Sequence, residues 1–320
     1  MGAMADNGIT RRDLAWKAAT AGGALMAAPG ASAAEGLEMR ALGKTGLEVS
    51  VLGIGTAPLG APDVTQKTAN DVISAALEHG INYLDTAPIY RQSERRLGPA
   101  LAGRREKFVL VSKVEAASAQ DAIWQVRESL QKMGTDYLDL VHLHNVGRTD
   151  RFPDLDLLTG PEGALGGLKK LKADGVVRHI GMTCHLRPKR ALPVLATGDI
   201  EAVMCAANFV DVHTYDFEGT VFAEAAAKGI GVVAMKVLGG QQGDGAMLSA
   251  PEHYEKAVRY ALGIPGLSVA IMGMKNRAEL EQAVRTVKAY QPFSDSEQEL
   301  LTQTGREMAA DWGEHRGPLV

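Results

Sequence analysis

Aromatic side chains make up only 5% of the 320 residues, and cysteine occurs twice, at Cys184 and Cys205. So few aromatics leave the core to aliphatic side chains and Ala, which suits barrels and doubly wound sheets. Two cysteines exclude a disulfide framework and a four-thiolate metal centre. A dominant charge of either sign is also missing: 34 Lys and Arg against 38 Asp and Glu leave a formal charge of -4. With no long basic run, the surface is not built to neutralise phosphates, which argues against a nucleic-acid partner. What remains, 46% apolar and 22% charged residues, is the balance of an ordinary globular protein with a sizeable core.

Residues 1–34 differ from the rest. A polar start runs through Thr10-Arg11-Arg12-Asp13-Leu14-Ala15-Trp16-Lys17 into the mildly apolar stretch Ala15 to Ala28, and Ala31-Ser32-Ala33 offers small residues for cleavage. The segment resembles a twin-arginine export signal. That implies the export machinery as a partner and an exported, periplasmic location, with the cytoplasm as the location if the signal is unused. The competing reading is a short amphipathic helix on an Ala/Gly linker. The apolar stretch is too short to span a membrane and implies no stable anchor. About 287 residues remain beyond Ala33, near the roughly 250 of one eight-stranded α/β barrel with an extension. The expected organisation is therefore a signal segment over 1–34 and one barrel domain over 35–320.

From residue 49 onward, short β-branched or apolar runs alternate with segments of helical period. The eight expected strands are Val49 to Gly55, Asn82 to Asp85, Phe108 to Lys113, Leu138 to His144, Val177 to Thr183, Ala202 to Ala206, Gly231 to Lys236 and Ser268 to Met272. Apolar stripes mark helices at Lys67 to His79, Ser93 to Leu101, Asp121 to Met133 and Thr220 to Lys228, and Gly80, Gly134, Gly175 and Gly229 stand where left-handed caps are wanted. Arg40 to Leu47 reads as a hairpin closing the barrel floor, and a helix capped by Ser294 and running to about Ala309 follows the eighth unit. The pattern predicts an α/β fold, a (β/α)8 TIM barrel with an N-terminal β-hairpin and an extra C-terminal helix. A doubly wound open sheet competes less well, because no G-x-G-x-x-G fingerprint follows the first strand.

In such a barrel, polar residues at the carboxyl ends of strands share one mouth. Asp85, Lys113 and His144 end the second, third and fourth strands, and Tyr90 follows Asp85 by five residues. The stretches Leu42-Gly43-Lys44-Thr45-Gly46-Leu47-Glu48-Val49-Ser50, Asn82-Tyr83-Leu84-Asp85-Thr86-Ala87-Pro88-Ile89-Tyr90 and Asp136-Tyr137-Leu138-Asp139-Leu140-Val141-His142-Leu143-His144 resemble the aldo-keto reductases over residues 39 to about 290. The resemblance implies a barrel that binds a nicotinamide cofactor and reduces aldehydes or ketones, or runs the reverse oxidation, with the catalytic tetrad on Asp85, Tyr90, Lys113 and His144. The chemistry suits these residue types. Hydride arriving at a carbonyl carbon builds charge on its oxygen, so a proton must be delivered there. Tyr90 would deliver it, Lys113 would favour the phenolate, Asp85 would hold Lys113, and His144 would donate a hydrogen bond to the substrate oxygen.

The same resemblance places the cofactor along Gly55, Thr56, Asp85, Thr183, Cys184, Met204, Met235, Lys236, Leu238, Gly239, Gly240, Gly273, Lys275, Arg277 and Glu281. Several of these depart from the family pattern. Cys184 replaces an Asn and Met204 a Gln at the carboxamide, Met235 replaces a stacking aromatic, and Ala283 an Asn near the adenine. Lys236 with Gly239 and Gly240 would wrap the pyrophosphate. Lys275 and Arg277, at a helix start near Asn276, lean toward NADP, with NAD the alternative.

Two other readings stay open at this level. His142 and His144 share a strand face and, with His185 and His213, could be drawn as a metal-dependent hydrolase, although no metal site is expected. A non-catalytic nicotinamide-binding barrel is the other. Substrate choice would rest on the loops Gly147 to Gly160 and Val237 to Ser249 and on the tail beyond residue 290, where Trp312 would cover the mouth. Asp150, Arg151, Asp154 and Asp156 make the first loop polar, which favours a hydroxylated carbonyl such as a sugar aldehyde.

Overall fold

A computed structural model of the chain describes residues 36–240 and 248–320. The segment 1–34 read as an export signal lies outside the described residues, as does part of the expected substrate loop Val237 to Ser249.

The first element is the hairpin. Strands β1 (Met39–Ala41) and β2 (Glu48–Ser50) pair antiparallel across the turn Gly43 to Gly46, in which Gly43 and Gly46 both take positive φ. Val49 and Ser50 therefore belong to the hairpin and not to the first barrel strand, which is shorter than expected. Leu42 and Val49 are buried in one cluster with Tyr83, Val109 and Val233, which plugs the barrel floor from below. Gly231 permits this approach, because a Cβ there would come within 2.7 Å of the Leu42 side chain.

Eight parallel strands then close the barrel: β3 (Leu52–Gly55), β4 (Tyr83–Asp85), β5 (Val109–Val114), β6 (Leu138–Leu143), β7 (Val177–Cys184), β8 (Ala202–Ala206), β9 (Gly231–Met235) and β10 (Leu267–Gly273), with β10 pairing both β9 and β3. Strand alternation sorts their residues. Val109 and Val111, Leu140, Ala202 and Met204, Val233 and Met235, and Val269 and Ile271 fill the interior, while Leu110, Val141, Val203, Val232 and Ala270 pack outward against the helices.

The helices follow the sequence signals. Thr65 and Ser118 cap Gln66–Glu78 and Ala119–Met133 by accepting backbone N–H bonds, and Gly134 and Gly229 end their helices in the left-handed conformation. The segment Thr220 to Lys228 is a π turn over Glu218–Phe222 leading into the helix Ala223–Lys228. The last helix, Asp295–Trp312, starts on a Ser294–Glu297 capping box and runs three residues past Ala309. The buried stripe Leu301, Gly305, Ala309 and Trp312 explains the extension. Among the described residues no helix is long and apolar enough to cross a membrane.

Candidate active site

The inward columns of β4, β5 and β6 end at the mouth in Asp85, Lys113 and His144. Lys113 is the third inward residue of β5, above Val109 and Val111, and is 1% exposed. Its Nζ donates to the Asp85 carboxylate, 2.6 Å from Oδ1 and 2.7 Å from Oδ2, and to the Thr86 carbonyl at 2.8 Å. Burial alone would lower the Lys113 pKa, but the Asp85 carboxylate and Tyr90 outweigh it and carry Lys113 above its ordinary value. The site thus keeps a buried ammonium charged.

Tyr90 is set by a turn between β4 and the helix Ser93–Leu101. Its N–H donates to the Ala87 carbonyl at 3.0 Å, its own carbonyl accepts from Ser93 N at 2.9 Å, and Gly60 leaves room for that carbonyl. The Lys113 Nζ stands 4.9 Å from the ring centroid. Sequence reasoning expects this ammonium to bring the phenol toward working range. The balance in the structure is different: burial dominates and raises the Tyr90 pKa, and Lys113 opposes it without overcoming it.

His144 lies one residue past β6, anchored by its N–H on the Val114 carbonyl at 2.9 Å. Its ring meets Tyr90 edge-on, with centroids 6.3 Å apart. Burial, then Lys113 and Arg151, lower its pKa well below the usual histidine range, so it is neutral. Its Nδ1 is 3.1 Å from Glu115 Oε1, which Arg151 Nη1 also approaches at 2.7 Å. The Nδ1 contact lacks hydrogen-bond alignment. Arg151 Nη1 also donates to the His144 carbonyl at 3.2 Å, which ties the loop after β6 to this cluster.

The expected cofactor residues divide. Gly55 and Gly273 stand opposite each other in the β3–β10 register, packed so closely that a Cβ would meet Ile271 at the first and Pro58 at the second. Gly239 and Gly240 take positive φ beside Lys236, itself at φ 58°. Thr183 faces inward with its Oγ1 accepting from Asn145 N at 2.8 Å, and Met204 and Met235 line the interior. Leu238 is half-buried against the outer core. Two of these side chains are engaged within the fold. Cys184 points outward into the core between strands and helices, where its thiol donates to the Leu186 carbonyl at 3.0 Å and burial pushes its pKa up to about 12. Thr56 is fully buried, and its hydroxyl donates to the Asp85 carbonyl at 2.9 Å while accepting from Ser93 Oγ at 2.7 Å.

The cations near the last barrel helix are not free either. Asn276 caps Arg277–Lys288 as expected, but Lys275 pairs with Asp63, and Arg277 pairs with Glu78 and with Glu281, the expected adenine contact. Trp312 does not reach over the mouth. It is buried at the helix end against His315, and the tail beyond it makes the contact: Arg316 donates to Asp211 and to the Gly239 carbonyl at 2.8 Å.

The four histidines of the metal reading separate. His142 is sealed inside the barrel opposite Gly181, where a Cβ would collide with its ring. His213 faces Gly305 of the last helix, while His185 stays beside His144 at a centroid distance of 6.2 Å. Among the described residues no three His, Cys, Asp or Glu side chains gather as a metal-ligand set.

Sequence reasoning misses Glu115, Asn145, Asp211 and Arg316. Asn145 adopts φ 64° and ties β6 to β7, donating its N–H to Thr183 and accepting the His185 N–H at Oδ1 at 3.1 Å. Its place after a strand-end histidine was the available signal. Asp211 and Arg316 are 105 residues apart, and nothing local links them.

Comparison with known proteins agrees with this geometry. Residues 51–256 match the model of the aldo/keto reductase family. The chain is 34% identical over 160 residues to L-galactose dehydrogenase of Arabidopsis thaliana, covering 46% of this chain and 48% of that protein. It is 34% identical over 141 residues to methylglyoxal reductase YeaE of Escherichia coli, covering 43% and 46%. These matches span about half the length of the curated relatives. The solved structure of aldo-keto reductase AKR11C1 from Bacillus halodurans superposes with a TM-score of 0.70 at 25% identity, over 88% of this chain and all of that one. With the barrel and the mouth described above, these matches show that the chain belongs to the aldo/keto reductase family.

Proposed function

We propose that the chain is an NAD(P)H-dependent oxidoreductase that reduces an aldehyde or ketone to an alcohol, or runs the reverse reaction, with Tyr90 as the proton donor. The observation that carries this reading is the convergence of Tyr90, Lys113, Asp85 and His144 at one mouth, with the Lys113 Nζ 2.6 Å from Asp85 and 4.9 Å from the Tyr90 ring. Bound there, a reduced nicotinamide supplies the hydride. Tyr90 holds the proton at its hydroxyl, and Lys113 stabilises the phenolate left when that proton is given up. Asp85 keeps Lys113 in place, and His144 orients the carbonyl oxygen through Nε2.

The residues present fit such a cofactor in part. The strand ends at Gly55 and Gly273, the Lys236 to Gly240 loop, Thr183 and the capped start of Arg277–Lys288 would hold it. Met235 offers only a thioether where a ring would stack. We keep NADP as the preferred form. The carboxylates on Lys275 and Arg277 oppose it, yet exposed pairs of this kind are screened by water and yield to a phosphate at small cost. For the substrate we propose a carbonyl with oxygen on the neighbouring carbon, in line with the sugar and the methylglyoxal in the names of the two relatives. We also propose that residues 1–34 direct export, which fractionation of tagged cells tests: uncleaved chain confined to the cytoplasm contradicts it.

Fluorescence titration with NADPH and NADH, followed by a carbonyl screen with whichever binds, tests the activity. Binding and turnover of aldoses or methylglyoxal are expected. Cofactor binding without reduction of any carbonyl would point instead to a non-catalytic barrel.

A further inference from the structure

The β7 column does not stop at Thr183. Inward residues alternate along a strand, so Gly181, Thr183 and His185 share the face that Cys184 leaves. His185 is the first residue past β7 (Val177–Cys184), half-buried, with its backbone N–H held on Asn145 Oδ1 at 3.1 Å. Its ring lies 6.2 Å from that of His144, tilted by 52°, and His144 in turn lies 6.3 Å from Tyr90. Three rings thus line one arc of the mouth in the order Tyr90, His144, His185. Among the described residues the His185 ring nitrogens have no hydrogen-bond partner, and its electrostatic neighbours are Lys236, His144, Arg316 and Lys113.

We propose that His185 recognises the oxygen on the carbon next to the reacting carbonyl, which makes it the residue that selects α-hydroxy and α-oxo aldehydes over plain aldehydes. This rests on the carbonyl-reducing reading above. If Tyr90 and His144 hold the carbonyl oxygen, the neighbouring oxygen of the substrate falls toward the next ring in the arc. Two oxygens on adjacent carbons, each hydrogen-bonded to a different imidazole, fit the His144–His185 separation. A neutral imidazole carries one donor and one acceptor, so it serves a hydroxyl or an oxo group equally. Burial and the cations Lys236 and Arg316 hold His185 well below the usual histidine pKa, which keeps that acceptor available at neutral pH. The Asn145 anchor fixes the position before substrate arrives, the condition under which a polar contact discriminates.

The test compares kcat/KM for glyceraldehyde and propanal in the wild type, His185→Ala and His185→Gln, alongside cofactor affinity by fluorescence. The wild type should favour glyceraldehyde. His185→Ala should cut the glyceraldehyde-to-propanal ratio by about tenfold or more, chiefly through KM for glyceraldehyde, and His185→Gln, which keeps a donor and an acceptor, should recover part of it. An unchanged ratio, or a loss that appears as weakened cofactor binding, overturns the assignment and leaves the carbonyl-reducing reading standing. A wild type that reduces neither aldehyde but turns over another carbonyl removes the assignment alone, and one that reduces no carbonyl of the screen removes the carbonyl-reducing reading with it.

Discussion

Lys113 and Asp85 come from neighbouring strands and meet as a buried ion pair, with both carboxylate oxygens within 2.7 Å of one ammonium. Nζ also donates to the Thr86 carbonyl at 2.8 Å, so the lysine cannot swing away from Tyr90 without breaking these bonds. Removing one partner of a buried pair strands the other charge, which typically costs about 3–5 kcal/mol. Asp85→Asn should therefore lower the melting temperature and cut kcat by about a hundredfold or more. Thermal unfolding and steady-state kinetics on the same preparation check both.

The direction of the Tyr90 shift sets a pH dependence. Burial raises the phenol above its ordinary value of 10.0. Reduction needs the protonated form, so kcat for reduction should stay flat from about pH 6 to about pH 9 and fall only as the phenol ionises above that range. A decline in kcat centred near neutrality would show that another group delivers the proton.

Much of this site was legible because barrel geometry turns sequence position into spatial position. Asp85, Lys113 and His144 end consecutive strands, and a closed parallel barrel brings consecutive strand ends together. Alternation would also have sorted Cys184 from Thr183 and His185, since a strand residue cannot share a face with its immediate neighbour. Matching Cys184 to a family position hid that. Two kinds of feature stayed out of reach. The pairs Lys275–Asp63 and Arg277–Glu78 join residues about 200 positions apart, unlike Arg277–Glu281 one helical turn away. The Arg316–Asp211 contact depends on how the tail folds back past Trp312, which no local pattern encodes. At the floor, Val49 reads as barrel strand because its apolar, β-branched side chain suits either a hairpin or a barrel.

Those ion pairs give a test of cofactor preference. Glu78→Gln frees Arg277 from one of its two carboxylates. The ratio of NADPH to NADH affinity should rise by about threefold, a modest change because the pair is exposed. Fluorescence titration of the variant with each cofactor measures it. A ratio that stays put would mean that Arg277 does not contact the 2′-phosphate.

Away from the mouth, Glu201 joins three partners: His179 at 2.7 Å, Lys172 at 2.5 Å and the Ile180 N–H at 3.1 Å. Burial would raise its pKa, but these partners outweigh it and lower the value from 4.5 to about 2. A depressed folded-state pKa stabilises above the unfolded value and is lost as pH falls through that window. Glu201→Gln should cost about 1–2 kcal/mol near neutral pH, allowing for partial solvent screening. The difference from wild type should shrink progressively between pH 4.5 and about 2. Denaturant unfolding at several pH values checks the sign.

The central claim is that Tyr90 delivers the proton, and Tyr90→Phe tests it most directly because the ring and its contact with Lys113 stay while only the hydroxyl is lost. Oxidation of reduced nicotinamide should be followed in wild type and variant with the best carbonyl from the screen, alongside cofactor affinity by fluorescence. The account predicts that kcat falls by about a thousandfold or more while cofactor affinity stays within about twofold. Carbonyl reduction at near wild-type rate in Tyr90→Phe would contradict it.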